Sequence, residues 1–593
     1  MSMEEVGPAE ALEIFHPVIR AWFAETYGEP TEIQTLAWPM IASGKHVLAT
    51  APTGSGKTLC AFLWALDRLL TGAWPTELPA VLYVSPHKAL NTDIRRNLLG
   101  PLRLLGERLA AAGLSVPEVR VEVRSGDTPQ NERQRMLRRP PQVLVTTPES
   151  LNLLLSSPRA RGILTGLRTV ILDEIHAVAS TKRGTHLATA VERLVPLAGE
   201  FQRLALSATV RPASRVAAFV GGYVLEEPAG KAAASAEAAP GDEGRATGGE
   251  ARYKAREVTV LQALQAKRLE LTVRFPRQPA AAPPEGAGPA ADGTGGDASI
   301  WPALVASCRQ AIHAHRSTLL FTNTRRHAEK LARLINEAEG AILAYAHHGS
   351  LSREIRAAVE SRLKRGELKA IVATSSLELG IDIGELDQVL LIQTPQSVAS
   401  TLQRIGRAGH SVRDVSRGVL HPLHGLDLLE GALMAQAVGE QAIEETRPVL
   451  RPLDLLAQVI LSMTGVERWD IDRLFDALRS SYPYHELSRR QYERVLDMLA
   501  GRYADSRIRE LESRVLLDRL ENTVEARRGA LALVYRAGGT ARGRGSSRAP
   551  RRTAGRCPSA PRPSWRGSPG PAGPRGRGRA GSPRCPARAR PGP

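Results

Sequence analysis

The sequence predicts an α/β protein: two successive parallel-sheet domains, then a mainly helical module, then a disordered tail. Three observations carry this expectation. Short apolar strands alternate with amphipathic helical stretches from about Val47 to Thr209. The alternation resumes from about Trp301 to Leu423. In the first block each strand ends in a polar cluster, which is where a parallel sheet places its ligand-binding loops.

Residues 1–227 form the first expected domain, with strands at His46–Thr50, Val81–Ser85, Gln142–Thr146, Thr169–Asp173 and Leu204–Ser207. After Lys57, residues Leu59, Phe62, Leu63, Leu66 and Leu70 recur at helical spacing, so a helix starts at a glycine-rich loop. Residues 228–299 hold two stretches, Pro228–Ala251 and Gln278–Ser299, rich in Ala, Gly, Pro and charge. They flank a strand-like piece, Leu269–Phe275, and read as flexible excursions near an interdomain hinge. The second domain, 300–440, carries strands at Thr318–Thr322, Ile342–Tyr345, Ala370–Thr374 and Val389–Ile392, with a helical stretch at Arg325–Ile335. Residues 441–540 turn helical, with Leu456, Val459, Ile460 and Met463, then Leu474, Phe475 and Leu478.

Residues 541–593 differ from everything before them. They hold 14 Arg and no Lys, Asp, Glu, Ile, Leu, Val, Met or Phe. The chain's net charge is +18, so without those arginines it is only +4. A segment without large aliphatic side chains cannot offset the entropy of ordering, so it is expected to be disordered. Its composition reads as GC-rich coding sequence translated out of frame, the alternative being a basic tail that touches nucleic acid nonspecifically. The pI therefore carries no functional weight. No apolar stretch is long enough for a membrane helix, and the acidic start lacks a signal-peptide pattern. Of four cysteines, Cys557 and Cys585 lie in the tail, while Cys60 and Cys308 sit in apolar helical contexts. Disulfides and zinc are not expected, and a reducing cytoplasm fits.

Two motifs carry chemistry. Ala51-Pro-Thr53-Gly54-Ser55-Gly56-Lys57-Thr58 lies between a strand and a helix. Backbone amides of such a loop cradle phosphates at the positive end of the helix dipole. Lys57 would neutralise the β- and γ-phosphates, and the Thr58 hydroxyl would ligate Mg²⁺. Ala51 replaces the first glycine of the strict pattern. In the second motif, Ile171-Leu-Asp173-Glu174-Ile-His176, an apolar strand delivers adjacent carboxylates at its carboxyl end. Asp173 would hold Mg²⁺ through water, and Glu174 would accept a proton from the attacking water.

With these motifs the chain resembles a superfamily 2 helicase, and more closely the Lhr (large helicase-related) family. The finer text is Gly28-Glu-Pro-Thr31-Glu-Ile-Gln34, Ser85-Pro-His-Lys-Ala-Leu90, Thr146-Thr-Pro-Glu149-Ser-Leu151 and Ser207-Ala-Thr209. The second domain adds Ala373-Thr-Ser-Ser-Leu-Glu-Leu-Gly-Ile-Asp382 and Gln403-Arg-Ile-Gly-Arg407-Ala-Gly-His410. The resemblance spans roughly residues 10–540 outside the two inserts. It implies tandem RecA-like domains and an incomplete winged-helix-like module over 441–540.

Position by position, the resemblance implies that Gln34 reads the adenine edge with Thr31 beside it. Gly380 belongs to the nucleotide set, and Asp382 faces the ribose. Gln403 and Arg407 contact the γ-phosphate, with Arg407 as arginine finger. His176 couples the ATP site to the second domain; Ser207 and Thr209 link nucleotide state to domain movement. Nucleic-acid contacts are expected at Ser85, Pro86, Lys88, Asn91, Thr146, Thr147 and Glu149, and at Thr322, Asn323, Arg325, His348, Gly349, Thr374 and Ser375. Groups of these types bind phosphates rather than base edges, so sequence preference should be slight.

The implied activity is ATP-driven 3′-to-5′ movement on single-stranded DNA, with unwinding of DNA or RNA:DNA duplexes in a repair context. ATP and Mg²⁺ are the expected cofactors, and no membrane or obligate protein partner is evident. Two other readings stay open: a nucleotide- and nucleic-acid-binding fragment with weak or uncoupled ATPase, and an RNA helicase.

Overall fold

The computed structural model describes residues 7–52, 54–86, 95–226, 252–263, 269–276, 300–378, 386–409, 415–502 and 512–536. All fall within one compact unit, Met1–Gly543. The inserts at 227–251 and 277–299 and the tail therefore lie outside the described residues, as do the site candidates Thr53, Lys88, Asn91, Gly380 and Asp382.

In the first lobe, β-branched and leucine-rich runs fold as β1 (His46–Thr50), β2 (Val81–Val84), β3 (Val121–Arg124), β4 (Val143–Thr146), β5 (Thr169–Leu172) and β6 (Gln202–Ser207). The strands pair in the order β3-β4-β2-β5-β6-β1, all parallel. Successive side chains point to opposite faces, and each face has its own core. Val47, Val81, Tyr83 and Leu204 join the core that holds Phe62 and Trp38. Leu48, Leu82, Val84 and Ala205 join the one that holds Leu154 and Leu187. Helices cover both faces, as a parallel sheet requires.

The region between the lobes is more ordered than expected. Its strands are β7 (Tyr223–Glu226), β8 (Arg252–Ala255), β9 (Val258–Gln262) and β10 (Leu269–Val273). β7 and β8 form an antiparallel ribbon. β9 extends the first sheet beside β1, register His46 to Val258. β10 joins the second sheet beside β15 (Ser416–His421). Expecting inserts around one strand-like piece thus missed two strands, because β9 finds its partner more than two hundred residues back along the chain.

The second sheet contains β11 (Thr318–Thr322), β12 (Ala344–His347), β13 (Ala370–Ala373) and β14 (Gln388–Ile392), in the order β10-β15-β14-β11-β13-β12 and all parallel. β12 starts two residues later than the expected Ile342. The Asn336 side chain accepts from the Leu343 and Ala344 amides at 2.8 and 2.9 Å, which keeps the preceding residues in a loop.

The last module contains strands as well as helices. Helices Leu453–Thr464, Ile471–Arg479 and Arg489–Leu499 pack with a small antiparallel sheet of β16 (Trp469–Asp470), β17 (Val515–Asp518) and β18 (Thr523–Ala526). This module is seated on the first lobe. Arg161 grips the Glu467 carboxylate at 3.0 and 2.7 Å, and Arg193 donates to Ser462 Oγ at 2.8 Å. Tyr535 donates to the Ser156 carbonyl at 3.0 Å, and the Tyr223 ring stacks on His485 at 3.5 Å. Among the described residues, no helix is long and apolar enough to cross a membrane.

Candidate nucleotide site and nucleic-acid face

The carboxyl end of β1 runs directly into the glycine loop. Gly54 and Gly56 take φ of 83° and 80°, left-handed values that favour glycine and turn successive amides inward. The helix Lys57–Leu70 starts immediately afterwards, buried through Leu59, Phe62, Leu63 and Leu66. The Lys57 ammonium donates to the Ala51 and Pro52 carbonyls, both at 2.6 Å. Thr31 and Gln34 brace this loop: Thr31 Oγ1 donates to the Ser55 carbonyl at 2.8 Å and Gln34 Nε2 to the Gly56 carbonyl at 3.3 Å. A side chain at Gly56 would collide with Gln34 Nε2, 2.6 Å from the added carbon. Gln34 Oε1 also accepts from the Thr31 amide, so both ends of the expected adenine reader are engaged inside the protein.

Across the crevice floor, β5 delivers Asp173 and Glu174. Glu174 sits at φ 48°, a left-handed value uncommon for a non-glycine residue and typical of functional strain. Asp173 Oδ1 accepts from the Glu174 amide at 2.9 Å, and Oδ2 accepts from the Tyr83 hydroxyl. Burial, then the adjacent Glu174 charge, pushes the Asp173 carboxyl up to about 7. Thr58 lies half-buried in the first turn of the helix that Lys57 opens. Adjacent carboxylates such as Asp173 and Glu174, with a hydroxyl among the candidate donors, are the hard oxygen ligands that suit a divalent cation such as Mg²⁺.

His176 joins two strand ends. Its Nδ1 accepts from the Ala208 amide at 3.0 Å and lies 3.4 Å from Ser207 Oγ. The neutral ring therefore carries its proton on Nε2, which lies 3.5 Å from Glu174 Oε2 without hydrogen-bond geometry. Burial, then the Lys57 charge, drops this imidazole to about 3, so it is neutral at physiological pH. Thr209 is exposed just beyond.

The second lobe completes the arrangement. Arg407 Nε and Nη2 donate to the Glu378 carbonyl at 3.2 and 2.6 Å. Lys57 is shifted down by burial, with Glu174 and Asp173 opposing that shift and Arg407 adding to it. The charges of Asp173, Glu174 and, from the second lobe, Arg407 all lie within electrostatic reach of the Lys57 ammonium. Gln403 lies half-buried on helix Val398–Ile405. Its neighbour Arg404, not singled out in the sequence, pairs with the buried Glu378 carboxylate and donates to Asn323 Oδ1 at 3.1 Å.

The expected nucleic-acid residues divide by how their side chains are used. Thr146 Oγ1 donates to the Arg124 carbonyl at 2.8 Å, Thr147 caps the helix Pro148–Leu155, and Thr322 donates to the Thr324 carbonyl at 3.0 Å. Asn323 also donates to the Thr394 carbonyl at 2.7 Å, and Glu149 pairs with Arg183. Burial would raise the Glu149 carboxyl, but the Arg183 hydrogen bond and charge override it and lower it. These side chains have partners within the protein. Ser85 and Pro86 are buried, and His348 is buried against Glu329 at 2.9 Å. Arg325, Gly349 and Ser375 are exposed and Thr374 half-exposed, along one end of the second sheet. Arg124 sits opposite Thr146 in the β3–β4 register.

Known proteins resemble the chain at every level. Residues 31–216 match the DEAD/DEAH box helicase family, and 303–411 the helicase conserved C-terminal domain. Residues 436–549 match the large helicase-related protein winged helix domain. The "Lhr helicase/ probable uracil glycosylase" of Mycolicibacterium smegmatis is 42% identical over 572 residues, covering 91% of this chain and 35% of that protein. "ATP-dependent helicase Lhr-Core protein 2" of Thermococcus barophilus is 39% identical, covering 91% of this chain and 59% of its own length. The structure of Mycobacterium smegmatis helicase Lhr bound to ssDNA and AMP-PNP superposes with a TM-score of 0.76 at 42% identity, covering 90% of this chain and 63% of that one. The chain thus spans between about a third and three-fifths of the length of these curated relatives.

Proposed function

We propose, from the premise that this chain belongs to the large helicase-related (Lhr) family of ATP-dependent helicases, that it couples ATP hydrolysis to 3′-to-5′ movement along single-stranded DNA and to unwinding of DNA or RNA:DNA duplexes. What supports this reading is the glycine loop with Lys57 and the Asp173–Glu174 pair on one lobe, with the Arg407 charge of the other within electrostatic reach of Lys57. The glycine loop's inward amides and the helix dipole suit the phosphates of ATP. Lys57 exchanges its loop carbonyls for the β- and γ-phosphates, a swap between neutral and anionic acceptors that favours the nucleotide. Thr58 and Asp173 are the residues that would hold Mg²⁺, which when bound neutralises developing phosphate charge.

Glu174 is the base for the attacking water, its carboxylate 3.5 Å from His176 Nε2. Arg407 stabilises the charge that builds on the transferring phosphoryl group. Because it comes from the second lobe, its engagement favours lobe closure, and product release favours opening. His176 relays that change from Glu174 to the Ser207–Ala208 turn. The relative bound to ssDNA and AMP-PNP supports single-stranded DNA as the track.

Steady-state ATPase with and without single-stranded DNA tests the core of the proposal, and strong stimulation is expected. An RNA strand of equal length should stimulate less; equal or greater stimulation would turn the reading toward an RNA helicase. Nucleotide binding without DNA stimulation would turn the reading toward a nucleotide- and nucleic-acid-binding protein whose ATPase is uncoupled.

A further inference from the structure

We propose that Tyr83 is a positioning residue for Asp173, its hydroxyl fixing the carboxylate in the orientation that grips Mg²⁺; this rests on the ATP-site reading above. Tyr83 lies on β2 opposite Ile171, and Asp173 follows two residues later, just past the end of β5. It is 2% exposed, and its strand neighbours Val81, Leu82 and Val84 are all buried. A hydroxyl in such an apolar strand is costly unless bonded, and this one donates to Asp173 Oδ2. The Glu174 amide anchors the other oxygen at 2.9 Å. With both oxygens held, the carboxylate cannot rotate about its Cβ–Cγ bond.

The identity of the anchor matters. A lysine or arginine there would neutralise Asp173 and compete with a cation, whereas a phenol orients the carboxylate and leaves its charge intact. The ring supplies rigidity: it packs on Phe62 with centroids 5.0 Å apart, on the helix that begins at Lys57. Tyr83 is therefore a strut between the phosphate-loop helix and the metal-holding carboxylate. Two residues later the same strand runs into Ser85 and Pro86, at the proposed nucleic-acid face.

Tyr83→Phe removes only the hydroxyl. Losing an outer partner of a metal ligand typically costs about 10–100-fold in metal affinity. The test measures binding of a fluorescent non-hydrolysable ATP analogue across a Mg²⁺ titration, with affinity in EDTA and melting temperature as companions. For Tyr83→Phe the Mg²⁺ midpoint should rise at least about tenfold while affinity in EDTA stays within about twofold. Phe62→Leu, which loosens the ring contact but keeps the hydroxyl, should lower the melting temperature and raise the midpoint by less than Tyr83→Phe does. A wild type whose binding ignores Mg²⁺ would overturn the ATP-site reading along with this one. A Mg²⁺-dependent wild type matched by Tyr83→Phe would overturn this proposal alone. Should Tyr83→Phe not fold, 3,5-difluorotyrosine at position 83 keeps the ring and changes the hydroxyl's acidity; an unmoved midpoint there would also overturn it.

Discussion

The carboxyl ends of the two sheets hold their charges in different ways. In the first lobe the functional groups hold one another: Glu174 anchors Asp173, His176 faces Glu174, and Thr31 and Gln34 clamp the loop that carries Lys57. In the second lobe one motif supplies two arginines with separate duties. Arg404 is locked to Glu378 and Asn323 inside the lobe, while Arg407 rests on a main-chain carbonyl with its charge within electrostatic reach of Lys57. On the proposed reading, one lobe builds most of the site and the other delivers a single reagent to it. A movable interface favours that division, since only one group must be re-aimed at each closure.

The sharpest test of this contrast is Arg407→Ala. Turnover in the presence of single-stranded DNA should fall by about 10³-fold or more, with nucleotide affinity and melting temperature little changed. Glu174→Gln should lower turnover by about 10²–10⁴-fold, again with binding retained, as direct titration of a fluorescent nucleotide would reveal. Arg404→Ala should do the opposite of Arg407→Ala. It leaves the Glu378 carboxylate buried without its partner, a loss of about 3–5 kcal/mol that denaturant melting would register. If Arg404→Ala melted like wild type and Arg407→Ala did not, the division of duties would be reversed.

A smaller effect concerns acid. His46 is lowered to about 4, by burial and then by Arg203 and Arg256, and His176 to about 3. Both are neutral in the folded chain and protonate more readily once it unfolds. The stability they contribute is complete above about pH 6.5 and declines as pH falls through 6.5 toward 4. Melting temperature should drop between pH 7 and pH 5, and His46→Gln should flatten that drop.

The fold's centre was legible from sequence because its signals are local. A strand that runs into a glycine loop, and an apolar run ending in Asp-Glu, each announce themselves within ten residues. What escaped depends on distant partners. Val258–Gln262 becomes a strand because β1 offers a free edge, and nothing in its own text names that partner. Tyr83 reads as one more apolar strand residue until Asp173 is seen beside it. The final module's sheet rests on strands of two and four residues, too short to leave a period in the sequence. For the threonines of the expected nucleic-acid face, spacing cannot say which way a hydroxyl turns. Thr146 and Thr322 turn inward, to neighbouring carbonyls.

The strand beside β1 has a mechanical consequence. Ala263 donates to the Thr50 carbonyl at 3.1 Å, and the Thr50 hydroxyl donates to the Leu261 carbonyl at 3.1 Å. The strand β9 is thereby stitched to the residue just ahead of the glycine loop. Any pull carried along β9 arrives at the very backbone that leads into that loop.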